Sequence, residues 1–405
     1  MKHIYILLFI FTASYTSAQH STCDDSRYAE DVFTDFTLTE AVKYGENTTI
    51  NGNFQELFLD VYEPTGDTAE KRPTIVLAFG GSFIVGDRQQ LSDLCAAYTR
   101  KGYVAVSIDY RLFDGSLLPF PSQETMQEVV VKAISDMRAA VRFLKEDAAT
   151  INQFRIDPDF ILVGGVSAGA ITAAHTALMQ EGDAIPEDLR ALIDENGGIE
   201  GNSSDNLEFT SEVIGLVSFS GALNNASLID ANDPPIFSVH DDGDSVVPYG
   251  AGFATIQGFP IAPLEGSSEL HRYADSLGVF NELVTIENSV GHVSYFENQE
   301  STTDIINQSS VFMQEVICAD VLISTDDIYL AETTIYPNPA IDRITIESND
   351  QVGQAAVYDM MGRRISSWNN ENVLDIKNID AGHYILKVNN DNNQIIAVKP
   401  IVIID

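Results

Sequence analysis

The sequence is short of positive charge. Lysine and arginine number 22 against 60 aspartates and glutamates, a net charge of −38 over 405 residues. That balance excludes nucleic acid and anionic lipid as partners, because a surface of this sign repels phosphate groups. Cysteine is scarce too: Cys23, Cys95 and Cys318 allow one disulfide at most and leave a thiol over. Long apolar runs are missing. The stretch from Ile4 to Phe11 is too short to span a bilayer, and no later run is longer, so no transmembrane segment is expected.

What is present fills out a folded chain. Apolar residues make up 44%, with 21 Phe and 15 Tyr, enough for a sizeable core, and the length allows two domains. Met1-Lys2-His3, the apolar stretch and the small residues Thr16-Ser17-Ala18 read as a signal peptide over residues 1–18, cleaved before Gln19. The mature chain is then exported and soluble, where disulfides can form. Cys23 with Cys318 would tie the N-terminal arm to the end of the first domain. Cys95 lies in a helical apolar pattern and reads as a small buried hydrophobe.

Phe36 to Tyr44 and Gln55 to Tyr62 alternate in the manner of an antiparallel strand pair. Beyond Pro64 the pattern changes to short, largely apolar runs: Thr74 to Phe79, Val104 to Ile108, Phe160 to Val163, Val213 to Phe219, Ile236 to Val239 and Glu282 to Ile286. Helical patterns over Gln89 to Arg100, Met126 to Asp147 and Ser268 to Leu277 fall between them, and Phe296 to Ile317 adds a closing helix. Such alternation predicts an α/β domain over 19–319, with a mostly parallel sheet and helices on both faces. Residues 181–212, rich in Gly, Asn and Ser, break the alternation and form either a cap beside the site or a mobile surface insertion. A linker over 320–333 precedes a pattern of short strands over 334–405, which predicts a small all-β sandwich. The lone His383 there reads as structural.

The chemistry concentrates at Phe160–Gly169. An apolar strand enters Gly165-Val166-Ser167-Ala168-Gly169, and a small-residue helix follows at once. This is the pattern of a nucleophile elbow, where a sharp strand-to-helix turn exposes the serine hydroxyl. A serine needs a base, and the base needs an orienting carboxylate. Both stand at strand ends. Ile236 to Val239 runs into His240-Asp241-Asp242-Gly243-Asp244, and Leu283 to Ile286 runs into Glu287 to His292. His292 is the candidate base by strand order. Asp241, Asp242 and Asp244 all qualify by composition, and the turn at Gly243 puts Asp244 furthest into the loop. His175 on the elbow helix reads as packed or capping, His271 as lying on a charged helical face, and His240 as a positioning residue. Gly80-Gly81-Ser82-Phe83, after the first parallel strand, offers the Gly81 and Ser82 amides as an oxyanion hole, with the Ala168 amide as partner.

These residues resemble the α/β-hydrolase superfamily, and within it the carboxylesterase and hormone-sensitive-lipase-like branch. The likeness covers about residues 23–318. It is carried by Ala78-Phe79-Gly80-Gly81-Ser82-Phe83 with Gly86, Asp109-Tyr110-Arg111-Leu112, the Gly165–Gly169 elbow, Asp244 with Val247-Pro248, and Gly291-His292. It implies cofactor-free, metal-free hydrolysis of small or polysaccharide-borne esters by Ser167, His292 and Asp244, with peptidase, lipase or inert binding protein as alternatives. One departure is visible: Phe79 stands where the branch usually has histidine, and Asp87-Arg88 could restrain the loop instead. The tail resembles the C-terminal sorting domain of the type IX (Por) secretion system of Bacteroidetes, in Tyr336-Pro337-Asn338-Pro339-Ala340, Tyr358-Asp359 with Gly362-Arg363, and Ala381-Gly382-His383-Tyr384. That resemblance implies the type IX machinery as partner and a secreted or cell-surface location.

Overall fold

A computed structural model describes residues 22–23, 26–318, 333–348, 351–358, 364–379, 381–390 and 395–404. The expected signal peptide, residues 320–332 of the linker, and Asp359, Gly362 and Arg363 lie outside the described residues. The chain divides into two compact units, Met1–Asp320 and Val321–Asp405.

In the first unit β1 (Phe36–Thr48) and β2 (Phe54–Pro64) form the expected antiparallel pair. β3 (Arg72–Ala78), α1 (Ser92–Arg100) and β4 (Val104–Ile108) follow, then α2 (Gln123–Ala149) and β5 (Ile156–Val166). Every residue of β3 and β4 is buried, which is why both read as largely apolar runs. α2 begins where the Ser122 hydroxyl accepts from the Thr125 amide at 3.1 Å. After β5 come α3 (Ala168–Leu178), α4 (Glu187–Glu195), β6 (Leu216–Phe219), β7 (Ala222–Leu223) and β8 (Ile236–Asp241). The unit closes with β9 (Ala251–Ile256), β10 (Phe259–Gly266), α5 (Ser267–Leu277), β11 (Asn281–Ile286) and α6 (Gln299–Cys318).

Eight strands form one sheet in the order β1-β2-β4-β3-β5-β6-β8-β11, parallel from β4 onward. α1 packs on α6 and α2 on α3, covering both faces. The carboxyl ends of β3, β5, β8 and β11 therefore open to one edge, where the candidate residues follow each strand. Cys23 and Cys318 are bridged, with 295 positions between them, and Cys95 is buried and free.

Two features depart from the expectation. β7, β10 and β9 form a separate antiparallel sheet for which the sequence pattern had suggested no strands. Residues 181–212 divide between the two expectations: α4 within them lines the cavity beside Ser167 through Leu189 and Ile193, whereas 196–212 is fastened to α2 by polar side chains. Lys132 donates to Asn196, Arg142 to the Glu200 carboxylate at 2.9 Å and to Ser204, and Lys145 to the Glu212 carbonyl. Deeper in, Arg111 and Asp136 form a fully buried pair that also bonds Ser203.

The second unit holds β12 (Thr334–Tyr336), β13 (Arg343–Glu347), β14 (Val352–Tyr358), β15 (Arg364–Asn369), β16 (Val373–Asp375), β17 (Gly382–Asn390) and β18 (Ile395–Ile403). They form two antiparallel sheets, β12-β13-β16 and β15-β14-β17-β18, around one core that includes Ile344, Leu374, Val357 and Leu386. His383 is exposed on β17.

Candidate active site

Ser167 stands between β5 and α3 with φ 54° and ψ −116°, a conformation outside the regions open to most side chains. The turn is held by two close approaches. A Cβ at Gly169 would lie 2.0 Å from the Ala78 carbonyl oxygen, and one at Gly165 would lie 2.4 Å from the Gly169 carbonyl carbon. Only glycine lets α3 cross so near β3 and β5. The Ser167 amide donates to the Phe219 carbonyl at 2.8 Å, tying the turn to β6 as well.

His292 reaches the serine from the loop after β11. Its Nε2 accepts from the Ser167 hydroxyl at 2.7 Å, and its Nδ1 donates to Asp244 Oδ2 at 2.7 Å. These partners assign the proton to Nδ1. Asp244 is fully buried at its side chain, and its Oδ1 accepts from the amides of Val246 and Val247 at 2.8 and 3.1 Å. Burial alone would raise its pKa, but hydrogen bonds from His240 and His292 outweigh that and hold the carboxyl well below the usual carboxylate range.

The other two acidic candidates have different partners. Asp241 accepts from the Ser294 amide at 3.1 Å and from its hydroxyl, and Asp242 accepts from the amides of Asn288 and Ser289 at 2.9 and 3.0 Å. Both clamp the loop that carries His292. His240 is buried, with Nδ1 on the Ser267 hydroxyl and Nε2 on the Val247 carbonyl, and it braces the acid loop. His175 is buried against Asn224, and burial lowers its pKa. His271 does not sit on a charged face. It is buried, bonds Asn281 at 2.6 Å, and burial lowers its pKa to about 4.

Among the described residues the amides of Gly81 and Ser82 donate to no protein acceptor. Ser82 and Phe83 both have left-handed backbones, with φ 57° and 61°, and Gly80 packs so closely that its Cβ would meet Ser167 Cβ at 3.3 Å. Phe79 replaces a polar anchor with an apolar one. Its ring stacks on Tyr110 at 4.4 Å, and the Tyr110 hydroxyl donates to the Phe79 carbonyl at 2.7 Å. Gly86 makes room for that ring, since a Cβ there would lie 2.5 Å from it. Arg88 then pins the loop's far end on Asp60 and Asp109 at 2.8 and 2.6 Å.

A cavity of about 110 Å³ opens beside Ser167. Ser82 and Ala168 line it near the serine, α2, α3 and α4 line it with apolar side chains, and β9–β10 supply one wall. Sequence reasoning had missed that wall. The signal was there in Gln257-Gly258, which turns between the strands with φ 51° and 81°.

Comparison with known proteins agrees with this architecture. Residues 59–224 match the BD-FAE family, a span that includes Ser167 and ends before Asp244 and His292. Residues 334–403 match the secretion system C-terminal sorting domain. Lipase 2 of Geotrichum candidum is 29% identical over 147 residues, which is 33% of this chain and 24% of the lipase. An ulvan lyase of Nonlabens ulvanivorans is 24% identical over 209 residues, 50% of this chain and 33% of the lyase. The chain thus spans about a quarter to a third of the length of these curated relatives. Esterase 2 of Thermogutta terrifontis, in a form phosphoramylated by tabun, shares the fold with a TM-score of 0.50. It is 19% identical, over 70% of this chain and 96% of that one. Two family matches, BD-FAE over residues 59–224 and the secretion system C-terminal sorting domain over residues 334–403, thus fall on the α/β-hydrolase fold of the first unit and on the second unit respectively.

Proposed function

We propose that this chain is an exported serine hydrolase of carboxylic esters, working through an acyl-enzyme with Ser167 as nucleophile. The observation that carries the reading is the unbroken line of two 2.7 Å hydrogen bonds from Ser167 through His292 to Asp244. The Ser167 proton passes to His292 Nε2 as its oxygen attacks the ester carbonyl, and Asp244 stabilises the imidazolium. Negative charge on the carbonyl oxygen is met by the amides of Gly81, Ser82 and Ala168. One such donor typically contributes 10²–10³ in kcat, or about 3–4 kcal/mol. The intermediate collapses, and His292 returns its proton to the departing alcohol. Water then attacks the acyl-enzyme by the same route and releases the acid. Each step uses groups already in place, and none calls for a metal or an organic cofactor.

No ionised side chain lines the cavity, so a charged peptide terminus has no partner there. That favours an ester over a peptide substrate. The sorting domain directs the chain through type IX secretion to the cell surface or beyond, where small esters and esters borne on polysaccharides are accessible. The test is labelling with a fluorophosphonate probe beside turnover of p-nitrophenyl esters. Wild type should form a Ser167 adduct and hydrolyse the ester, and Ser167→Ala should do neither. An unlabelled, inactive wild type would favour an inert binding protein, and residual turnover in Ser167→Ala would move the nucleophile elsewhere.

A further inference from the structure

We propose that the cavity beside Ser167 is an acyl channel along α3 that takes an extended, unbranched acyl chain of about six to ten carbons, with Ile193 and Met179 at its far limit. The inference rests on the ester-hydrolase reading and names the acyl half of its substrate.

The direction of the channel follows from helical register. Ser167, Ile171, His175 and Met179 recur every four residues, and all four line the cavity. They form one stripe of α3, and twelve residues at a rise of 1.5 Å span about 18 Å. The facing wall is a second stripe, Met126, Val130 and Ile134 of α2. An independent contact fixes how the two helices align. Arg138, one turn beyond Ile134, donates to the carbonyls of Thr176 and Met179 at 3.1 and 2.6 Å. Ile134 therefore lies toward the Met179 end, and Met126 lies two turns back toward the serine.

The far end is enclosed and apolar. Ile193 of α4 and Met179 are only 2% and 4% exposed, yet both line the cavity. The polar atoms of His175 are already committed, Nδ1 to the Ile171 carbonyl and Nε2 to Asn224. Nothing at that end rewards a charged or strongly polar acyl group. The volume of about 110 Å³ corresponds to about seven to eleven water-sized positions in file. An acetyl group would fill a small part of it and leave the rest of the apolar wall uncovered. Each further methylene placed on that wall should raise kcat/KM about fourfold, until the end is reached.

The experiment uses the full chain and unbranched p-nitrophenyl esters from acetate to palmitate. For wild type, kcat/KM should climb from acetate to a maximum near octanoate and fall for longer chains. Ile193→Trp fills the far end and should shift the maximum to shorter acyl groups, lowering the octanoate-to-acetate ratio by about tenfold or more, the loss of about two buried methylenes. Leu189→Trp, on the half-buried side of α4, gives a second blocking variant should Ile193→Trp fail to fold. A profile highest at acetate, faster turnover of benzoate or pivalate than of octanoate, or an unchanged ratio in a folded variant would overturn the inference. If Ser167 still takes up a fluorophosphonate in those cases, the hydrolase reading survives. If the probe does not label Ser167 and no ester turns over, both readings fall.

Discussion

Ser167 occupies a backbone conformation that costs on the order of 1–3 kcal/mol, and the surrounding residues impose it. Gly165 and Gly169 permit the close crossing, and the Phe219 carbonyl holds the serine amide. The serine, acid and histidine were all legible because each follows an apolar run at the same edge of the sheet. The choice among three aspartates was less legible. Composition alone does not distinguish a carboxylate that faces an imidazole from two that bind loop amides, and backbone direction decides it. Asp244→Asn tests that distinction. The amide can present its NH₂ to His292 and impose the wrong tautomer, so kcat for a p-nitrophenyl ester should fall about 10³–10⁴-fold with the fold intact. Asp242→Asn keeps an acceptor oxygen for the His292 loop and should lower kcat far less. Equal losses in the two variants, measured with melting curves to exclude unfolding, would remove Asp244 from its role.

At the scale of elements, the least legible feature was the fastening of residues 196–212. Lys132, Ser135, Arg138, Arg142 and Lys145 recur along α2 at helical spacing, a pattern that reads as a solvated face. Here that face is covered by the 196–212 segment, whose Gly and Asn turns let its oxygens point inward. Arg138 is the centre of this arrangement, joining Glu200 and Ser211 to the last carbonyls of α3. Arg138→Ala leaves those carbonyls buried without a donor and should cost about 1–3 kcal/mol in urea unfolding. A loss below about 1 kcal/mol would mean that water replaces the guanidinium easily. The β9–β10 hairpin was missed for a related reason. Pro260, Pro263, Gly252 and Gly258 suppress its strand signal, although pairing with β7 overrides their low propensity. Beyond the end of α3, burial pushes Asp233 up to about 6 against hydrogen bonds from the Asp230 amide and Gln180, with Asp230 and Asp183 adding like charge. The folded protein therefore keeps a proton that the unfolded chain releases near pH 4. The stabilisation is complete below about pH 4 and is lost as pH rises through about 6. Relative to wild type, Asp233→Asn should gain in Tm between pH 4 and pH 7, and a constant difference across that range would refute the assignment.

For the whole molecule, the strong negative charge and the single disulfide act in opposite directions. Self-repulsion among 60 acidic residues against 22 basic ones keeps the chain soluble and weakens the compact state. The Cys23–Cys318 bridge closes a loop of 295 positions, so it restricts the unfolded ensemble of nearly the whole first unit. The arm is also docked without it. Tyr28 is buried and its amide bonds the Lys101 carbonyl, Arg27 pairs with Asp67 at 2.7 Å, and Gln314 of α6 donates to the Arg27 carbonyl. Cys95 does not compete for the bridge, because burial pushes its thiol far up and keeps it protonated. Cys23→Ser should therefore lower stability by about 2–5 kcal/mol in urea while the arm stays packed in the native state. Neither cysteine lines the cavity, so ester turnover by the folded variant should match wild type. A reductant should bring wild type to the stability of the variant and leave the variant unmoved. If reduction does not shift the wild-type urea midpoint, the bridge contributes nothing, and the docked arm alone must hold the end of the unit.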